Sequence, residues 1–318
     1  MRGILAIAIL AGTCAAAQAQ DCGLKQFASI DLVGDVSRGP VVTVMIGGKA
    51  LHLLVDTGGI YNTLSPAVVA ALSLDSHELR NGDELYSASG AVSRRYVNAP
   101  DFQIGPIHLS SLDMIVAPVS GSADLDGTLA PDFLSRFDVD LDFGAKKMNL
   151  FSPEHCEGKV VYWAKAYTDM PFKIEGTAHI EISPDLDGHA VTANLDTGAS
   201  VSILRERLAQ SAFNLDADSP GMQHIPDAKP GLIAYHYRFH SLSFNGVEVR
   251  NPDIYMLPDA AEHAFEKAHD DEKALNDPVY GERLHETDAI IGTDVLTKLH
   301  LYISYKEKKL YFTAADAH

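Results

Sequence analysis

The sequence predicts an all-β protein of two duplicated, β-barrel-like lobes with short helices, and three observations carry that prediction. The segment Leu54-Val55-Asp56-Thr57-Gly58-Gly59 returns as Asn194-Leu195-Asp196-Thr197-Gly198-Ala199, at an offset of 140 residues. A later block, Asp126-Gly127-Thr128-Leu129-Ala130-Pro131-Asp132-Phe133-Leu134, returns as Asp288-Ala289-Ile290-Ile291-Gly292-Thr293-Asp294-Val295-Leu296, at an offset of 162. Self-similarity of this kind dictates architecture before any single element does. Within each copy the apolar runs are short, rich in Val and Ile, and bounded by Gly, Pro and Asn, which is strand rather than helix patterning.

The first register holds over some distance. The same offset of 140 pairs Ile104 with Phe244, Ile107 with Val247, Asp113 with Asp253 and Pro118 with Pro258. The second register continues through Lys146-Lys147-Met148 and Lys308-Lys309-Leu310. The copies therefore differ by 22 residues, which fall between Pro258 and Asp288. That stretch, with Ala260 to Ala268 at its start, predicts a polar helix and loop inserted at the surface. The predicted organisation is a leader over 1–20, a first lobe over 21–158 and a second lobe over 159–318. The lobes join around 151–175, and the insertion occupies 259–287.

Val41 to Ile46 reads as a strand ending at Gly47-Gly48, followed by a strand from Leu51 to Val55 that runs into Asp56. Further short strands are predicted at 102–104, 107–109 and 114–116, with Gly105-Pro106 as a turn. A helix is expected from Ser65 to Leu74, where Ser65-Pro66 supplies an N-cap and a first-turn proline. Others are expected over 205–213, 131–137 and 294–299.

Composition narrows the function classes. Met1-Arg2-Gly3, the apolar run from Ile4 to Ala17 and the small-x-small site Ala17-Gln18-Ala19 predict a secretory signal peptide. A secreted or periplasmic protein follows, with no stable membrane insertion after cleavage, because the run is short for a span. Leu10 to Cys14 loosely resembles a lipid-attachment box, but Thr13 is larger than the residue that normally precedes an acylated cysteine, which argues against an anchor. Cleavage leaves Cys22 and Cys156, and two cysteines in an exported chain predict one disulfide. A net charge of −18 with no basic stripe excludes nucleic acid as a partner.

Asp-Thr-Gly carries little information once, but two copies after equivalent strands define a chemistry. Peptide hydrolysis without a covalent intermediate needs one group to activate water and another to protonate the carbonyl and the leaving amine. Two carboxyls a few ångström apart cannot both ionise, so a pair such as Asp56 and Asp196 provides both. Gly58 and Gly198 permit a tight turn that aims backbone N–H groups at the carboxylates, while Thr57 and Thr197 reach the opposite loop and hold both aspartates. In a non-functional reading, both aspartates would be turn residues at strand ends.

On these residues the sequence resembles retropepsin-like and pepsin-like aspartic proteases, and is most similar to bacterial retropepsin-like proteases with both lobes in one chain. The blocks Thr128 to Leu134 and Ile290 to Leu296 look like the family's buttress beneath each catalytic loop. The resemblance implies an aspartic endopeptidase with a cleft between lobes, a peptide or protein substrate and no cofactor; the sequence leaves the oligomeric state open, with a monomer favoured. Three departures stand out: Ala130 replaces the buttress glycine, Gly59 and Ala199 stand where a hydroxyl is common, and no long basic propeptide precedes the first strands. Without those hydroxyls the dyad is expected to titrate higher and to cleave near about pH 5–6.

Leu85 to Ala91 predicts a hairpin with Gly90 near its tip, a flap candidate in which Tyr86 faces substrate or solvent; Lys229-Pro230-Gly231 marks the matching turn of the second copy. Fourteen histidines invite a rival zinc reading, above all His263, His269 and His285 in the insertion and His236 with His240. None has a compact ligand spacing, so no metal site is predicted. A catalytically inactive peptide-binding protein that retains the fold is the second alternative.

Overall fold

A computed structural model describes residues 23–80, 83–86, 92–119, 124–175, 178–225, 235–258 and 287–315. The first lobe contributes β1 (Gln26–Val33), β2 (Val41–Ile46), β3 (Lys49–Val55), β4 (Thr63–Leu64), β5 (Ser76–Glu78), β6 (Leu85–Tyr86), β7 (Val92–Ser93), β8 (Arg95–Ile104), β9 (Ile107–Val116), β10 (Gly127–Leu129), β11 (Asp138–Asp142) and β12 (Lys147–Phe151). The second contributes β13 (Thr168–Pro171), β14 (Lys173–Glu175), β15 (His179–Ile182), β16 (Asp185–Leu186), β17 (His189–Ala190), β18 (Ala193–Leu195), β19 (Ile203–Arg205), β20 (Gln223–His224), β21 (Tyr235–Arg238), β22 (Ser241–Phe244), β23 (Val247–Arg250), β24 (Asp253–Leu257), β25 (Ala289–Ile291), β26 (Leu299–Ser304) and β27 (Lys309–Ala314). The fold is all-β and bilobal, as the repeat predicts.

Period-two patterning sets the strands. In β2 the residues Val42, Val44 and Ile46 are buried while their neighbours are half-exposed, because successive side chains of a strand point to opposite faces. Gly47 and Gly48 both take positive φ, 54° and 76°, the backbone a two-residue hairpin requires. β3 then returns in register, Ile46↔Lys49 through Val41↔Leu54.

Several boundaries differ from the sequence reading. The two short strands expected at 107–109 and 114–116 are one strand, β9, laddered to β8 from Ile104↔Ile107 to Tyr96↔Ile115. Its central serines are exposed while Leu112 is buried, so a polar stretch leaves the strand intact on its outer face. The helices are shorter than expected, at Pro66–Ala71, Pro131–Leu134, Glu206–Phe213 and Thr293–Leu296. Ser65 does cap the first of them, its Oγ accepting from Val68 N at 3.3 Å. The last stops early because Leu299 already begins β26, whose six residues are all buried.

The lobes meet in six antiparallel strands, β13-β27-β26-β11-β12-β1, which form one end of a thirteen-stranded sheet. The two halves of this set obey the sequence offsets. Ala28↔Leu150 and Ile30↔Met148 in the first lobe become Thr168↔Phe312 and Met170↔Leu310 in the second. At the seam β11 pairs with β26, and Asp140 lies opposite Tyr302, its own repeat equivalent. A local two-fold therefore passes through this pair.

The seam is polar as well as buried. His155 Nε2 lies 2.6 Å from Asp138 Oδ2, and His300 Nε2 lies 2.6 Å from Asp140 Oδ1. Asn149 donates to Asp140 at 3.0 Å, Tyr302 donates to Asp138 at 3.2 Å, and the Tyr162 hydroxyl also bonds Asp140. Trp163 stacks on His300 at 4.1 Å. Burial pushes the Asp138 carboxyl up, against the downward pull of His155. Buried carboxylates persist only when partnered in this way.

Candidate active site

In each lobe an aspartate sits just past a strand that is clamped from below. β10 runs parallel to β3, Gly127↔Leu53 to Leu129↔Val55, and Leu129 O accepts from Asp56 N at 2.9 Å. In the second lobe β25 runs parallel to β18, Ala193↔Ala289 to Leu195↔Ile291, and Ile291 O accepts from Asp196 N at 3.0 Å. The repeated blocks thus lie beneath the repeated Asp-Thr-Gly segments.

Across the interface the threonines exchange bonds. Thr57 N donates to Thr197 Oγ1 at 3.1 Å and Thr197 N to Thr57 Oγ1 at 3.0 Å. The hydroxyls donate onward, Thr57 to Leu195 O at 2.9 Å and Thr197 to Val55 O at 2.6 Å. Both threonines are fully buried, so every one of these groups would be unsatisfied without its partner.

The glycines serve close approach rather than turn geometry. Neither Gly58 nor Gly198 has positive φ, but a Cβ on Gly58 would overlap the Asp196 carboxyl, and one on Gly198 would stand 2.5 Å from Asp56 Oδ1. Each loop's backbone then turns onto its own aspartate. Asp56 Oδ1 accepts from Gly58 N at 3.0 Å and Gly59 N at 2.8 Å; Asp196 Oδ1 accepts from Gly198 N at 2.8 Å and Ala199 N at 3.2 Å. Each carboxyl thus stands against the other lobe's loop, and burial together with the charge of Asp196 pushes Asp56 up to about 7. Burial also raises Asp196, opposed by the N–H groups of Gly198 and Ala199 and by nearby His179. Such a pair holds one proton between two acids over a wide pH range.

Two of the departures from the family pattern sit together. Gly59 faces Ala130, whose methyl leaves ordinary contact distance, 3.5 Å, to a Cβ at 59; the tighter neighbour there is Asp56 Oδ2 at 3.0 Å. In the second lobe the small residue has changed sides: Ala199 stands at the loop, and Gly292 lies where a Cβ would come within 2.5 Å of Val201 O.

The structure also adds residues the sequence reading passed over. Asp132 Oδ1 accepts from Asn62 N at 3.0 Å, and Asp294 Oδ2 accepts from Ser202 N at 3.0 Å. Each ties the chain leaving the Asp-Thr-Gly loop to the turn of helix after the buttress. Burial pushes Asp132 to about 6. Their signal was present, since Asp132 and Asp294 are identical residues in the repeated blocks. His179, whose Nε2 lies 2.9 Å from Gly58 O, had none, because no repeat partner resembles it. Beside the loops a cavity of about 340 Å³ opens between Ile60, Tyr61 and Asp132 on one side and Ile174, Ala178 and Tyr305 on the other.

The flap candidate is described only at its base, where Leu85 pairs with Ser93 and Tyr86 with Val92. Gly90 lies outside the described residues, as do Lys229-Pro230-Gly231, Cys22 and His263, His269 and His285. His236 stacks on Tyr255 at 5.1 Å, and His240 bonds Asp187 at 3.1 Å. Among the described residues no three His, Cys, Asp or Glu side chains are grouped to hold a metal, and no helix is long and apolar enough to cross a membrane.

Fold and site together define a duplicated, two-lobed protein with opposed Asp-Thr-Gly loops, the architecture of aspartic proteases. The family model for aspartyl proteases matches residues 42–133 and 182–295. The two matches start 140 residues apart and end 162 apart, the offsets of the repeat. Together they cover more than half of the chain, which belongs to the aspartyl protease family. No curated protein matches it.

Proposed function

We propose that the protein is an exported aspartic endopeptidase whose catalytic dyad is Asp56 and Asp196. The observation that carries this is the pair of half-buried, facing carboxyls, each aligned by two backbone N–H groups of its own loop. The ionised carboxyl takes a proton from a water held between the two, and the water oxygen bonds the scissile carbonyl carbon. The protonated carboxyl gives its proton to the carbonyl oxygen, leaving a neutral gem-diol. The first carboxyl then protonates the amide nitrogen, the C–N bond breaks, and a diol hydroxyl returns its proton to the second carboxyl. An extended peptide in the inter-lobe cleft, covered by the hairpin of Tyr86 and Gly90, is the substrate.

Residues 1–20 direct export, and the mature monomer carries a Cys22–Cys156 disulfide. The register favours that bridge: Gln26 pairs with Phe151, and Lys25 O accepts from Ser152 N at 2.8 Å, so the strands run outward together toward both cysteines. Residues 259–287 serve as a surface appendage that the first lobe lacks.

The test is a peptide-library digest at about pH 5–6 with active-site titration by a statine-type inhibitor, on wild type, Asp56→Asn and Asp196→Asn. Cleavage by wild type alone supports the dyad, and near-normal turnover in either variant removes it. Inhibitor binding without cleavage by wild type would favour the inactive peptide-binding alternative.

A further inference from the structure

One difference between the lobes at the dyad crosses from one lobe to the other. In the first lobe Val41↔Leu54 and Val42↔Leu53 pair; in the second Glu181↔Asn194 and Ile182↔Ala193 pair. Those registers superpose at the 140-residue offset and make His179 the counterpart of Gly39. Gly39 has φ of 125°, and a Cβ there would overlap Leu54 and stand 3.6 Å from Thr197 O. The first lobe thus offers a bare backbone to the opposite loop, where the second lobe offers an imidazole.

That imidazole reaches across the lobe boundary. Gly58 O can only accept, so His179 Nε2 carries the hydrogen of their 2.9 Å bond. Gly58 is the residue whose N–H donates to Asp56 and whose Cα packs against the Asp196 carboxyl. One residue of the second lobe therefore fixes the first lobe's loop at the point where it touches the second lobe's aspartate.

We infer that His179 is a positioning residue that makes the two aspartates inequivalent: bonding Gly58 O where the first lobe has only Gly39, it holds the first lobe's Asp-Thr-Gly loop from the second lobe, with no reciprocal bond the other way among the described residues. The inference rests on the peptidase reading above. Its physical content is a donor to the Gly58–Gly59 peptide, whose own N–H donates to Asp56 Oδ1 at 2.8 Å, together with a positive charge when the imidazole is protonated. That charge also pulls Asp196 toward its ionised form. Of the titratable residues near His179, Asp56 and Asp196 form the dyad, and Glu175 is its backbone register partner on β14.

His179→Ala removes both donor and charge; His179→Gln keeps a donor for Gly58 O without the charge. Carboxyl ¹³C NMR titration of the full mature chain without substrate reads the two aspartates directly, and the pH profile of kcat/KM reads them in turnover. In both variants the lower carboxyl titration is expected to rise by about one pH unit. The acid limb of kcat/KM should rise with it, a loss of about tenfold on that limb, with little change above it. Titrations that overlay wild type in both variants overturn the inference even if turnover falls, since lost turnover alone reports damaged packing. Should the wild type cleave no peptide, the peptidase reading fails, and with it the role of His179 in turnover. The NMR titration then still shows whether His179 separates the two carboxyls.

Discussion

Replacing Asp56 by Asn should stabilise the protein at neutral pH while abolishing its chemistry. Asp56 is held near pKa 7 in the fold by burial and by Asp196, against 3.8 for an ordinary aspartate. The folded state therefore binds this proton more tightly than the unfolded state, so stability falls as pH rises from about 4 to about 7. At 1.36 kcal/mol per pKa unit, full ionisation costs the fold about 4 kcal/mol. Asn carries no titrating proton, and its Oδ1 still accepts from Gly58 and Gly59 at the distances Asp56 uses. Its amide also replaces the proton that Asp56 shares with Asp196. The variant and wild type should be about equally stable near pH 4 and differ by up to about 4 kcal/mol near pH 8. Urea unfolding of both proteins at several pH values measures the difference, in which every carboxyl but Asp196, whose titration is coupled to Asp56, cancels. A difference that does not grow with pH, or a variant less stable than wild type near pH 8, would refute the shared-proton geometry.

Three further outcomes follow. Thr197→Val leaves Thr57 N and Val55 O without their buried partners, which should cost about 2–4 kcal/mol in urea unfolding and lower kcat by about tenfold or more. His155→Ala strips the imidazole from Asp138 in the inter-lobe sheet. A loss of about 3–5 kcal/mol is expected, and a loss below about 1 kcal/mol would show that Tyr302 satisfies that carboxyl by itself. Mass spectrometry of a non-reduced digest should recover Cys22 linked to Cys156; the loop is long enough for the bridge to contribute about 4–5 kcal/mol, and two alkylatable thiols in the native protein would disprove it.

The sequence by itself determined the duplication, the all-β class, the two Asp-Thr-Gly loops and the insertion. These rest on local pattern and on repetition along the chain, and one-dimensional order preserves both. It also located the buttress blocks, although their parallel pairing beneath β3 and β18 is a tertiary fact. Tertiary structure alone decided why the glycines are required: Gly58 and Gly198 are needed because carboxyls from the other lobe occupy the space of their missing side chains. It decided the roles of Asp132 and Asp294, whose partners Asn62 and Ser202 lie 70 and 92 residues away. It placed Asp138 and Asp140 with His155 and His300 at a buried seam, where alternating charge along a strand would otherwise signal a solvent face. And it brought His179 to Gly58 across 121 residues of sequence. Periodicity reports which face of an element is apolar; it carries no information on which side chains of two lobes meet, and that meeting sets the energies of the buried charges.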